Sequence, residues 1–170
     1  MNHHPFVLLA QNAIATYIET GATPSPPSPL PEAMKEAGGV FVSLKKIGAL
    51  RGCVGTTRPT QENLAKEIIR NAVAAASRDP RFSPVTKEEL PLLKMSVDVL
   101  TKPSIIQSVD ELDPKQYGII VSKEGKQGVL LPDLPEIDTV YRQVILAAQK
   151  AGINDLRGAT IYKFRATRYY

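Results

Sequence analysis

An α+β fold, with a largely antiparallel β-sheet flanked by α-helices, is predicted by three observations. Two segments alternate apolar and polar residues on either side of a tight turn. Three others repeat apolar residues at helical spacing, and nowhere does strand-helix-strand alternation persist as a parallel sheet would require. With 170 residues, 43% hydrophobic and 22% charged, the chain is expected to form a single domain over 1–170 that buries a core without staples.

The opening HPFVLLAQNAIATYIET places Phe6, Ala10, Ala13, Ile14, Tyr17 and Ile18 on one helical face, with Pro5 suited to a first turn. His3 and His4 before it read as a loose tail. Five prolines between Pro24 and Pro31 can continue neither a helix nor a central strand, so residues 22–31 are expected to form an extended surface strap. GVFVSLKKIGALRGCVGTT reads as a hairpin turning near Lys46 and Gly48. Its second strand, LRGCVGTT, puts Arg51, Cys53 and Gly55 on one face, and Leu50, Gly52, Val54 and Thr56 on the other.

Thr60 is expected to cap a helix formed by QENLAKEIIRNAVAAASRD, ended by Asp79-Pro80. LLKMSVDVLT alternates Leu93, Met95, Val97 and Val99 with Lys94, Ser96 and Asp98, a half-buried strand. YGIIVSKEGKQGVLLP is a second hairpin turning at Glu124-Gly125. Asp138 is expected to cap a last helix through Lys150, and TIYKFRATRYY a single closing strand.

The single cysteine excludes an internal disulfide framework and an iron–sulfur cluster. No apolar run approaches a membrane span and no basic leader precedes FVLLA, so a soluble cytoplasmic protein is expected, with no membrane partner. Residues 41–85 carry eight Lys/Arg against three Asp/Glu, whereas residues 107–140 carry three against seven. The basic part contains LRGCVGTT, which is either a solvated face or an anion-attracting surface. The turn from this strand to Thr60 would also offer backbone N–H groups to an anion.

No Cys/His/Asp cluster has metal-ligand spacing, and the glycines match neither a phosphate loop nor a dinucleotide fingerprint. Glycine inside a strand marks a bulge or a close approach, by another part of the fold or by a ligand. Cys53 reads as a packing residue, a lining thiol or, least favoured, a nucleophile, since no base other than the amino-terminal histidines could serve it. In SRDPRFSP, Arg78 can complement a helix end and Asp79 a turn. Arg81 and Phe82 have no such local reason.

GVFVSLKKIGALRGCVGT, SRDPRFSPVTKEEL, GVLLPDLP and QKAGI, in this order, resemble the AmmeMemoRadiSam system protein A family, the AMMECR-type domains. The hallmark is similar at Leu50, Arg51, Gly52, Cys53, Val54 and Gly55, and the second motif at Asp79, Pro80, Arg81 and Phe82. The resemblance implies an α+β fold of two lobes with the hallmark near the cleft between them. It also implies an association with Memo-type and radical S-adenosylmethionine proteins, but it names no reaction and leaves the cofactor unknown. The site expected from the residues and the resemblance together is Arg51, Gly52, Cys53, Val54, Gly55, Asp79, Arg81 and Phe82, with Arg51 and Arg81 gripping an anionic small molecule. A ligand-binding or accessory module is the preferred reading. A transferase or hydrolase using the same cleft, with Cys53 as its one nucleophile candidate, is the alternative, and a nucleic-acid-associated protein a second alternative.

Overall fold

In the computed structural model, which describes residues 3–170, the first hairpin forms as its pattern requires. Strands β1 (Gly39–Lys46) and β2 (Ala49–Thr56) are joined by Ile47 and Gly48 with φ of 51° and 78°. Two left-handed residues give the turn whose twist matches the strands it joins. Between Leu44 and Lys45 the register shifts: Lys45 lies opposite Leu50 but Leu44 opposite Gly52, so Arg51 is the extra residue of a β-bulge. Strand β3 (Leu93–Leu100) pairs antiparallel with the other edge of β1.

Two helices cover one face of this sheet. α1 (Pro5–Thr20) and α2 (Leu64–Ser77) bury Ala10, Ile14, Ile68 and Ala72 against Val40, Val42, Leu44 and Val97. The sheet's other face carries Phe41, Ser43, Cys53, Gly55, Ser96 and Asp98, since cross-strand partners share a side. His4 is no loose tail. Its Nδ1 accepts the Phe6 N–H at 3.3 Å and its ring stacks on Tyr169 at 4.1 Å, which caps α1. After Gly21 the strap runs without regular structure to a 3-10 turn at Glu32–Met34, anchored where Leu30 and Met34 meet the core.

Two expected caps shift along the chain, by three residues and by one. Asn63, not Thr60, caps α2 by accepting the Lys66 N–H at 3.0 Å. Thr139, not Asp138, caps α3 (Val140–Lys150) through the Arg142 N–H.

The remaining strands build a second sheet. β5 (Gly118–Lys123) and β6 (Lys126–Leu130) form the second hairpin, turning at Glu124 and Gly125. β7 (Thr160–Phe164) adds to β5, and the two-residue β4 (Ser104–Ile105) to β7. α3 packs on this sheet, with Val144, Ala147 and Ala148 against Ile119, Val121 and Leu130. The expected single closing strand is instead two. After β7 the chain breaks at Arg165, whose backbone pairs with Thr101, and resumes as β8 (Ala166–Tyr169) in the first sheet. The strand orders are β2-β1-β3-β8 and β4-β7-β5-β6. The predicted α+β class with antiparallel sheets and helices therefore holds, distributed over two sheets rather than one.

By contacts the chain divides into two units, one reaching to Leu100 and including Thr167–Tyr170, the other Thr101–Ala166. No helix among the described residues is long and apolar enough to cross a membrane.

Candidate functional site

Both glycines of the LRGCVG segment are claimed by the fold. A Cβ on Gly52 would lie 2.2 Å from the Ala75 carbonyl oxygen of α2, so the missing side chain lets that helix backbone rest on the strand. A Cβ on Gly55 would lie 2.1 Å from Cγ of Phe41, whose ring occupies the space. The expected close approach is therefore made by the protein itself. Val54 lies opposite Val42 and packs against the core. That packing holds the strand in place.

The bulge sends Arg51 to Glu89 in the 3-10 turn Lys87–Leu92. Its Nε and Nη2 donate to the two carboxylate oxygens at 3.0 and 2.8 Å. Nη1 donates to Ser83 O at 2.9 Å and Nη2 also to Pro84 O at 3.3 Å. Lys46 Nζ donates to the same carboxylate at 2.8 Å. Both side chains are largely enclosed, at 14% and 15% exposure. Hydrogen bonds from Arg51, then Lys46, then the Thr86 N–H hold the Glu89 carboxyl well below the usual carboxylate range. Arg51 is thus committed to an internal ion pair and to two carbonyls of the loop that follows Arg81.

Arg81 is committed differently. Asp79 accepts the Arg81 N–H at 3.1 Å and Nε at 3.0 Å on Oδ1, and Nη2 at 2.7 Å on Oδ2. The Cys53 N–H donates to Oδ2 at 2.9 Å, and Arg81 Nη2 donates to Cys53 O at 3.4 Å. The DPRF loop is thereby tied to the middle of β2. The Asp79 side chain is 3% exposed and that of Arg81 55%. Hydrogen bonds from Arg81 foremost, with those from the Cys53 and Arg81 backbone, outweigh burial and keep Asp79 ionised far below its ordinary range. The guanidinium also lies 5.4 Å from the centroid of the Phe82 ring. Arg51 and Arg81 share no partner among the described residues, each being held by its own carboxylate.

Cys53 Sγ lies 3.3 Å from Ser43 Oγ, its cross-strand neighbour. Burial pushes the thiol above its ordinary value, outweighing the Ser43 hydrogen bond and the Arg81 charge that pull it down. A thiol held neutral is a poor nucleophile. Cys53→Ala is accordingly expected to give a folded protein whose anion binding falls less than about tenfold, because a small neutral contact is lost and no charge. Isothermal titration calorimetry with the tightest anion found checks this. Rapid stoichiometric alkylation at neutral pH with loss of all binding would contradict it.

On the same sheet face Asp98 is 2% exposed, with Oδ1 accepting Arg168 Nε at 2.8 Å and Oδ2 without a hydrogen-bond partner among the described residues. Burial raises its carboxyl against the opposing pull of Arg168. The anion expected at the turn before α2 is supplied internally. The buried Glu67 accepts the N–H groups of Thr60 and Gln61 at 2.8 Å each, and the hydroxyls of Thr56 and Thr60 at 2.7 and 2.8 Å. Among the described residues no group of three or more His, Cys, Asp and Glu is placed to hold a metal.

Ser43, Glu67, Glu89 and Arg168 escape sequence reasoning. Only Glu89 leaves a trace, in Thr86-x-x-Glu89, a capping-box spacing that predicts the observed bond from the Thr86 N–H at 3.0 Å and nothing about Arg51.

Antiparallel sheets with helices, and a buried aspartate locking a half-exposed arginine beside a lone neutral thiol, define an α+β domain with a built polar surface. The profile of the AMMECR1 family matches residues 7–169, and the chain belongs to that family. A Thermotoga maritima protein is 44% identical over 99% of this chain and 99% of its own length. A Clostridium acetobutylicum protein is 47% identical over 97% of this chain, which spans 36% of that longer protein. The crystal structure of an uncharacterized protein from Pyrococcus horikoshii superposes with a TM-score of 0.88 at 32% identity, covering 96% of this chain and 88% of that one.

Proposed function

We propose that this AMMECR1-family protein is a ligand-binding or accessory module that recognises an anionic group at the Arg81 guanidinium, beside Cys53 and Phe82. The observation that carries the reading is the asymmetry of the Asp79–Arg81 pair: the carboxylate is enclosed and fully bonded, while the guanidinium stays more than half exposed. A guanidinium held by a buried carboxylate on one edge has its orientation fixed before a ligand arrives, so little freedom is lost when a phosphate or carboxylate binds its other edge. Nη1 makes no hydrogen bond among the described residues and faces this task. Arg51 is a positioning residue in this scheme, because its bonds to Ser83 O and Pro84 O fix the loop that carries Arg81.

Chemistry at the same surface would need a base. Cys53 is held neutral, Asp79 is spent on Arg81, and Asp98 is enclosed. A binding role is therefore favoured over a transferase or hydrolase. An accessory role agrees with the match inside a much longer Clostridium chain. Memo-type and radical S-adenosylmethionine proteins, which the family resemblance implies, are the partners to try first.

Thermal-shift measurements with phosphorylated and carboxylated metabolites should show stabilisation by at least one compound class that disappears in Arg81→Met and partly survives in Arg81→Lys. An Arg81→Met protein that is folded and responds to every compound as the parent does would refute the anion site.

A further inference from the structure

Away from Arg81, a concavity lies between the strap and α2, with a volume of about 390 Å³, inside the range of small-molecule pockets. Pro24 and Pro26 form one wall, Ile69 and Val73 supply an apolar floor, and Lys66, Arg70 and Arg78 line it with three cations and no acid. Lys66 is paired with Glu62, and Arg70 Nη1 donates to Thr60 Oγ1 at 2.5 Å. The Arg78 side chain makes no hydrogen bond or ion pair among the described residues. Arg70 lies within α2 and Arg78 is the residue that caps its C-terminus, eight positions further on, about 12 Å at 1.5 Å per residue. Two arginine side chains over that span can close on a single group above Val73.

We infer that this groove binds a small organic phosphate, its phosphate held between Arg70 and Arg78 and its apolar portion laid on Ile69, Val73 and the strap prolines. Two guanidinium groups lining one groove with no acid among its lining residues favour an anion, and a phosphate accepts from two guanidinium groups at once. The apolar floor and proline wall exclude a bare inorganic ion as the best occupant, because their burial adds affinity only for a ligand with apolar surface of its own. The strap thereby acquires a role its composition alone does not reveal. Its prolines hold an extended wall opposite the helix at low entropic cost. This site is separate from Arg81, and either can fail without the other.

The test is an NMR titration of the full chain with phenyl phosphate, adenosine 5′-monophosphate and glucose 6-phosphate, with adenosine and inorganic phosphate as controls. At least one ester should perturb the amides of Ile69, Arg70 and Val73 saturably, with a Kd below about 1 mM at low ionic strength. Adenosine and inorganic phosphate should each bind at least about tenfold more weakly than the best ester. Arg70→Met/Arg78→Met should weaken that ester by about tenfold or more, and so should replacement of residues 25–29 by an equal length of glycine and serine, with Arg81→Met leaving it unchanged. No saturable binding by any ester, equal binding of adenosine and the monophosphate, or shifts that survive the double substitution or centre on Arg81, would each overturn the proposal.

Discussion

Gly52→Ala is expected to destabilise the protein by about 3 kcal/mol or more, lowering the melting temperature by roughly 6–12 °C. The added methyl carbon would sit 2.2 Å from the Ala75 carbonyl oxygen and 3.2 Å from its carbon. That oxygen belongs to helix backbone, which cannot turn aside as a side chain can, so α2 must lift from β2 along a buried seam containing Ala72, Ala75 and Ala76. The second sheet repeats the arrangement. A Cβ on Gly128 of β6 would lie 1.7 Å from the Ala147 carbonyl oxygen of α3, and Gly128→Ala is expected to cost at least as much. Gly55→Ala should cost less, about 1–3 kcal/mol, because its obstacle is the Phe41 side chain, which can change rotamer. Urea unfolding of the three variants checks the order. Equal losses at Gly52 and Gly55, or a Gly52→Ala protein within 1 kcal/mol of the parent on this same bookkeeping, would show that α2 yields more easily than a packed backbone should.

Much of the fold was legible because its signals are local. The turns at Ile47-Gly48 and Glu124-Gly125, the apolar stripes of α1 and α2, and the alternation in β3 are each contained in a few consecutive residues. The division into two sheets was not legible. β7 and β8 read as one alternating strand, and what separates them is the pairing of Arg165 with Thr101, far away in sequence. Neighbouring residues carry no trace of such a contact.

The site was legible in part, and the bulge explains where reading stopped. Continued unbroken from the turn, the hairpin register would set Cys53 opposite Val42, on the side facing the helices. The extra residue at Arg51 sets it opposite Ser43 instead. The same irregularity aims Arg51 at a carboxylate 38 positions away. Asp79 and Asp98 both form internal ion pairs, with Arg81 and Arg168. The DPRF segment did announce its own geometry, since Asp79 and Arg81 are close enough in sequence for a turn to bring them together.

Arg51→Met and Glu89→Gln are each expected to cost about 2–3 kcal/mol at pH 7, or roughly 5–10 °C in melting temperature. An exposed ion pair would be worth well under half of that. Here both side chains are mostly enclosed, and removing either leaves the other without its main partner. The carboxylate would keep Lys46, and the guanidinium would keep Ser83 O and Pro84 O, so the losses should fall below those of a fully buried pair. The pH dependence carries a definite sign. The Glu89 carboxyl is depressed in the folded protein, so the unfolded chain binds the proton more readily. The pair's contribution is complete above the unfolded carboxylate value, near pH 4, and is lost as the pH falls through the lower folded value. Stability measured by urea unfolding should therefore drop less between pH 6 and pH 3 in Glu89→Gln than in the parent. It should not become flat, because Asp79 is depressed in the same direction by Arg81. Arg51→Met should flatten the same limb, since without Arg51 the glutamate loses the first cause of its low value. In a double-substitution cycle at pH 7 the two losses should overlap rather than add, with a coupling of more than about 1 kcal/mol that shrinks toward zero as Glu89 is protonated. Additive losses, or an acid limb unchanged by either substitution, would mean that the pair contributes no more than a surface contact and that the loop carrying Arg81 is held by other means.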